Sequence, residues 1–188
     1  HAFWPFVTTK LYLDQTGDLD ILLEKVTYFK DLQTKRGTAH DNNWDHAYGN
    51  KQRTAGGNIY FGTILEHILL QNLCAFYDVG EHNEMRLHGA DWNDALNVTT
   101  DEYAESVMLS HQFCLALKEL EALLKKKGDQ VYAGKIAEEY RILRNSINAY
   151  AWDGAWYMRA LSDVENIGSK NSEGSKIYLN AQTWAVLG

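Results

Sequence analysis

Hydrophobic positions recur at helical spacing over most of the 188 residues. Residues 3–13 read as a short helix stopped near Gly17. Leu19, Leu22, Val26 and Phe29 then recur at steps of three, four and three, so Asp18 is placed to cap a helix running to about residue 35, which Gly37 ends. Asn58 stands before a second pattern, Phe61, Ile64, Leu65, Ile68, Leu69, Leu73 and Phe76, reaching about residues 77–79. A third covers about 103–127 through Phe113, Leu117, Leu120 and Leu124, and ends on Lys125, Lys126 and Lys127, where a helix dipole favours cations. Gly128-Asp129 is a tight break. Ala133, Ile136, Tyr140, Leu143, Ile147 and Tyr150 form a fourth stripe, and a last helix starts near Ala181. Strand signals are weak; residues 175–179 carry one short candidate.

The pattern predicts an all-α chain of antiparallel helical hairpins, in one segment over 1–188. Alternation has a geometric consequence. The loops 80–103 and 151–177, rich in Gly, Asp, Asn and Trp, are expected at one end of the helices, and the 36–57 loop and the Gly128 turn at the other. Long irregular loops gathered on a rigid helical scaffold are where sites are commonly built.

Composition narrows the partners. A formal charge of −7 gives neither nucleic acid nor an anionic membrane a reason to bind. No apolar run is long enough to span a bilayer and no secretory leader is visible, so a cytoplasmic location is expected. Cys74 and Cys114 fall inside helical patterns without metal or redox spacing and read as small buried hydrophobes of a reducing compartment. The sequon Asn97-Val98-Thr99 then reads as chance.

Two loops carry candidate chemistry. In Asp91-Trp92-Asn93-Asp94 an aspartate shielded from water can hold a proton and deliver it to a glycosidic oxygen, Trp92 can stack on a sugar face, and Asn93 can bond to backbone or hydroxyls. The same four residues also suit an Asx turn with Trp as a plug, and spacing alone favours that reading. The second loop holds Trp152-Asp153-Gly154-Ala155-Trp156-Tyr157, Asn166, Glu173 and, beyond it, Gln182. It reads as a sugar-site wall or as a packed aromatic cluster, with packing preferred for Trp152 and Trp156. His40-Asp41-Asn42-Asn43-Trp44-Asp45-His46 has the composition of a metal loop, but its spacing matches no closed site, and a polar surface loop is the better reading. No metal is expected. Glu66-His67, inside an apolar helix, reads as a buried hydrogen-bonded pair, and Glu105-Ser106 as a helix start.

Taken in order, several motifs resemble one family. They are Thr63-Ile64-Leu65-Glu66-His67, Gly80-Glu81-His82, Gly89-Ala90-Asp91-Trp92-Asn93-Asp94 and Glu105-Ser106-Val107, then Trp152-Asp153-Gly154, Trp156-Tyr157-Met158-Arg159-Ala160, Ile167-Gly168-Ser169, Asn171-Ser172-Glu173-Gly174 and Gln182-Thr183-Trp184. The set resembles the catalytic domain of the cellobiose/chitobiose phosphorylases, glycoside hydrolase family 94, over nearly the whole chain. The resemblance implies an (α/α)6 barrel, of which this chain is a part truncated at both ends. It implies inverting phosphorolysis of a β-linked gluco-configured di- or oligosaccharide to an α-sugar 1-phosphate, with phosphate as co-substrate and no cofactor. It maps the general acid to Asp94 and a sugar-contacting ring to Trp92, and leaves Asp91 as substrate contact or loop support. One carboxylate suits this chemistry. Phosphate is already an anionic nucleophile, whereas an inverting hydrolase needs a second carboxylate about 6.5–9.5 Å away. Asp163, Glu173 and Glu105 are the candidates for such a base.

The sequence departs from the family pattern in places. Ala90 precedes Asp91 and Ala95 comes after Asp94, and Asn83-Glu84-Met85 replaces small apolar residues. The phosphate and acceptor residues of the family lie in segments beyond this chain. The rival readings are an inverting hydrolase of related barrel fold and a non-catalytic carbohydrate-binding or assembly piece. Exposed helix faces of a partial barrel imply association with the rest of the barrel or with a second copy.

Overall fold

The structure is a computed structural model that describes residues 3–28, 51–88, 91–93 and 102–188. It divides into two compact units, one of His1–Val7 with Asn72–Gly188 and one of Thr8–Gln71.

Helix α1 (Phe3–Thr16), which enters the smaller unit at Thr8, ends at Gly17, whose amide closes on the Leu13 carbonyl at 2.9 Å. Asp18 caps the next element, its carboxylate accepting the amides of Asp20 and Ile21. That element is a single 3-10 turn, Leu19–Leu23, and not the long helix that the spacing predicts. The chain then extends as β1 (Lys25–Thr27), antiparallel to β2 (Phe61–Thr63) with Val26 opposite Gly62. Val26 and Thr27 are β-branched, and the partner strand lies far along the chain, where a local periodicity cannot register it.

Asn58 does not cap a helix either. Its carbonyl accepts the Thr54 amide at 2.7 Å in a turn that joins Arg53 to Ile59. Helix α2 (Ile64–Phe76) instead begins after Thr63, whose hydroxyl accepts the Glu66 amide at 3.1 Å. Of the apolar positions assigned to this helix, Ile68 is buried, whereas Phe61 lies in β2 and is exposed.

The larger unit is built on α3 (Val107–Lys127), α4 (Gln130–Ser146) and α5 (Leu179–Leu187), with α3 packed against both others. Ser106 caps α3 through the Leu109 amide, and Gly128 ends it in the left-handed conformation at φ 85°. Asp129 then caps α4 through the Tyr132 amide, so one glycine and one aspartate turn the chain back on itself. The expected faces meet in the core: Leu117, Leu120 and Leu124 from α3 and Ala133, Ile136, Leu143 and Ile147 from the α4 stripe are buried. Each such leucine or isoleucine contributes about 1.5–3 kcal/mol of burial.

The last stripe residue departs from the pattern. The chain widens into a π-helical turn, Ile147–Ala151, and the extra residue per turn buries Ala151 and leaves Tyr150 half exposed. Cys114 is buried as expected, but Cys74 is exposed. Residues 175–178 form no strand, and α5 starts directly after them. Among the described residues, no helix is long and apolar enough to cross a membrane.

Candidate functional site

In the larger unit, described residues of the 80–103 and 151–177 loops come together. Two-residue strands stitch them to the start of α3: β3 (Glu105–Ser106) pairs antiparallel with β4 (Ala160–Leu161), and Arg86 bridges to Glu105. Ser146 at the end of α4 donates its hydroxyl to the His82 carbonyl.

The centre of this junction is Asp91, whose side chain is wholly buried. Its carboxylate accepts the Ser106 hydroxyl at 2.6 Å, the Asn93 amide at 2.9 Å and a guanidinium nitrogen of Arg159 at 2.6 Å. The bond to the amide two residues on is the Asx turn that the sequence allows. Arg159, 1% exposed, also reaches the Ser106 hydroxyl at 3.4 Å, and its own carbonyl accepts the Val107 amide at 3.3 Å. One buried arginine from the second loop thus ties Asp91 to the first turn of α3. Truncating either partner of such a pair strands a buried charge, at a cost of about 3–5 kcal/mol.

Trp92, next to this anchor, is 72% exposed. It is not the buried plug of the Asx-turn reading; its indole is turned out to solvent. Asp94 lies outside the described residues, as do the 40–46 stretch and the sequon at 97–99.

A second knot holds the preceding turn. Glu105, 1% exposed, accepts the amides of His82 and Glu84 at 3.0 and 2.9 Å and pairs with His82 Nδ1 at 2.7 Å. These bonds occupy both of its oxygens, so Glu105 works as a rivet between the 80–84 turn and β3. Glu84 is fully buried beside it, and neither of its carboxyl oxygens has a hydrogen-bond partner among the described residues. Burial, and then the neighbouring Glu105 carboxylate, push Glu84 up to about 8, so it is largely protonated at neutral pH.

The second loop is a packed wall. The Trp156 indole donates to the Gly168 carbonyl at 2.8 Å, and Trp152 meets Tyr157 edge to face at 4.9 Å. The Gln182 amide is engaged with backbone: its oxygen accepts the Tyr157 amide at 3.0 Å and its nitrogen donates to the Tyr157 carbonyl at 2.7 Å. Beside it, His111, Arg144, Asn148 and Tyr157 line a shallow pocket. His111 Nε2 is buried there without a partner among the described residues, and burial pushes the imidazole down to about 4, so it is neutral.

In the smaller unit, Glu66 and His67 are not the buried pair expected. Glu66 instead accepts the hydroxyls of Tyr28 at 2.8 Å and Tyr60 at 2.9 Å, and these bonds hold its carboxyl below the usual range. The His67 ring stacks on Tyr28 at 3.6 Å. Among the described residues, no group of three or more His, Cys, Asp or Glu is placed to hold a metal ion.

The sequence pattern singles out Asp91, Trp92 and Asn93, which share one turn. It passes over Arg159, Ser106 and Glu84 as functional side chains. The one signal for them is the arginine of Trp156-Tyr157-Met158-Arg159-Ala160, a charge among apolar neighbours in a loop.

The sequence pattern of the Glycosyl hydrolase 94 superfamily, catalytic domain, matches residues 55–188. Solabiose phosphorylase of Paenibacillus borealis is 33% identical over 187 residues, 98% of this chain and 21% of that protein. The 3-O-beta-D-glucopyranosyl-beta-D-glucuronide phosphorylase of the same organism is 29% identical over 140 residues, 72% of this chain and 18% of that protein. Cellobionic acid phosphorylase of Neurospora crassa is 23% identical over 189 residues, all of this chain and 20% of that protein. The chain belongs to the glycosyl hydrolase 94 superfamily and is a piece of its catalytic domain, all-α as an (α/α)6 barrel requires. It spans about a fifth of the length of the curated relatives it matches.

Proposed function

We propose that this chain carries the acid-bearing loop of an inverting glycoside phosphorylase. In the whole protein, Asp94 protonates the glycosidic oxygen, Trp92 packs against the sugar, and inorganic phosphate attacks the anomeric carbon to give an α-sugar 1-phosphate. The substrate class is a β-linked, gluco-configured di- or oligosaccharide. Asn93 and Gln182 are assigned to the sugar-binding wall, Gln182 through the backbone of Tyr157 that it holds in place. Asp91 supports the turn.

The observation that carries the reading is the turn itself. Asp91 is bonded to buried partners while Trp92 stands in solvent, so the backbone beside Trp92 is anchored and its aromatic ring is exposed. An exposed tryptophan on a fixed turn suits sugar stacking, and a side chain delivering a proton needs a fixed backbone. Membership of the family and relatives named as phosphorylases favour phosphate over water as the nucleophile. Glu105 is a poor candidate for a hydrolytic base, since its oxygens are already bonded and it is buried.

The test is turnover by the whole protein of sophorose, laminaribiose, cellobiose and gentiobiose, with and without inorganic phosphate, monitored by NMR. Phosphate-dependent appearance of an α-sugar 1-phosphate is expected, and Asp94→Asn is expected to lower it about 10²–10⁴-fold with the fold intact. Free sugar formed equally without phosphate makes the protein a hydrolase and turns attention to Asp163 and Glu173. Binding without turnover makes it a carbohydrate-binding piece.

A further inference from the structure

We infer that Arg159 is the positioning residue of the acid-bearing turn: its buried ion pair with Asp91 sets the backbone from which Asp94 acts. The inference rests on the reading of Asp94 as general acid and goes beyond it, since Arg159 belongs to a different loop and acts through Asp91.

Connectivity carries the assignment. Among the described residues the Asp91 carboxylate accepts three bonds, and two of them leave the turn: the Arg159 guanidinium at 2.6 Å and the Ser106 hydroxyl at 2.6 Å. Ser106 is itself fixed as the cap of α3, and its backbone pairs with Ala160, the residue after Arg159. The Arg159 amide is held by the Ile167 carbonyl at 2.8 Å. The guanidinium is therefore clamped on its backbone side by β4 and on its charged side by Asp91. Arg159 Nε is buried without a hydrogen-bond partner among the described residues. What the arginine supplies is a planar fork that fixes both distance and angle to the Asp91 carboxylate. Asp94 follows Asp91 by three residues in the sequence, and the inference is that a shift at Asp91 is passed along this short stretch to the acid. A displacement of about 1 Å at a reacting group lowers a rate about 100-fold.

Lysine at 159 keeps the charge and loses the fork, while asparagine at 91 keeps the shape and loses the charge. A group acting through the acid leaves a signature that a fold-holding group does not. Fluoride departs as the anion and needs no proton, so phosphorolysis of β-glucosyl fluoride does not depend on a well-placed Asp94.

The experiment compares wild type, Arg159→Lys, Asp91→Asn and Asp94→Asn in the whole protein. It uses whichever of the four disaccharides wild type cleaves best, and β-glucosyl fluoride, each with inorganic phosphate. Expected is a fall in kcat of about 10- to 100-fold for Arg159→Lys and Asp91→Asn on the disaccharide, at little-changed KM, with fluoride turnover close to wild type. An equal fall on both substrates overturns the inference, because Arg159 then only holds the fold. Unchanged kcat on the disaccharide overturns it as well. Should Arg159→Lys fail to fold by circular dichroism, Asp91→Asn decides by the same two criteria. If Asp94→Asn keeps full disaccharide turnover, or wild type shows no phosphate-dependent turnover, the reading of the acid itself fails and the positioning role falls with it. An inactive Asp94→Asn beside an unaffected Arg159→Lys sinks the positioning role alone.

Discussion

Glu84 is a carboxyl group in an apolar place. It is a fully buried acid whose oxygens find no hydrogen bond among the described residues, next to the Glu105 carboxylate, with Ser110 and Cys114 also close by. It stays neutral because ionising it would place two negative charges side by side out of water. The consequence is a definite pH dependence. Glu84 is raised from the ordinary value to about 8, so its contribution to stability is complete below about pH 4.5 and is lost progressively as pH rises towards 8. Glu84→Gln has nothing to titrate. Its stability relative to wild type is expected to climb by an amount on the order of a few kcal/mol between pH 5 and 9. Thermal melts of the whole protein at pH 5, 7 and 9 check this, and a constant difference in Tm across the three would contradict it. At the same scale, the Asx turn allowed by Asp91-Trp92-Asn93 is present and is tied to Arg159, and Trp92 is exposed beside it instead of serving as a buried plug.

At the scale of elements, the α3–α4 hairpin rests on two residues of the connection. Gly128 is left-handed, and a Cβ there would meet nothing within 4 Å. Gly128→Ala is therefore expected to cost only backbone strain, about 1–2 kcal/mol. Asp129→Ala removes the α4 cap and is expected to cost about 1 kcal/mol. Gly80 is a contrasting case. A Cβ at that position would lie 2.4 Å from Glu105 Cγ and 2.5 Å from the Tyr103 carbonyl oxygen, and the backbone atom cannot swing aside. Gly80→Ala is expected to cost more than Gly128→Ala and to weaken activity too, because it pushes on the Glu105 rivet; parallel denaturation and turnover measurements would show the order. The helices were the legible elements. Their stripes at 117, 120 and 124 and at 133, 136, 143 and 147 point into the core because helical spacing is local. The strands were not legible. Lys25–Thr27 and Glu105–Ser106 take their conformation from partners far along the chain, Phe61–Thr63 and Ala160–Leu161. Thr63-Ile64-Leu65-Glu66 does carry a helix-start signature of the Thr-x-x-Glu kind, and it marks the start of α2 where Asn58 does not.

At the scale of the molecule, α5 and its approach present apolar side chains to solvent. Ile177, Leu179, Val186 and Leu187 are 51–86% exposed. A patch of this kind on a helix implies a covering surface. Expressed by itself, the 188-residue chain is expected to self-associate, eluting from size exclusion above its mass of 21.5 kDa and binding a hydrophobic dye. In the whole protein the same face is expected to be occupied by the remaining barrel, and a monomeric chain without dye binding would count against both statements. The charge of −7 places no attraction on the phosphate that the proposed reaction consumes. A basic anion site elsewhere in the whole protein is therefore part of the proposal.

The sequence by itself determined the helical class, the core faces of α3 and α4, the Gly128-Asp129 reversal and, through an ordered set of motifs, the family. Each of these depends on residues close together in the chain or on their order along it. Tertiary structure alone decided that Leu19 to Thr27 turns and extends instead of continuing as helix, that Tyr28 and Tyr60 converge on Glu66, and that Arg159 reaches Asp91 across 68 residues. The reason is physical. A buried charge is stable only where its partner arrives in the right geometry, and which partner arrives is set by how the helices return the loops to one another, which no local spacing encodes.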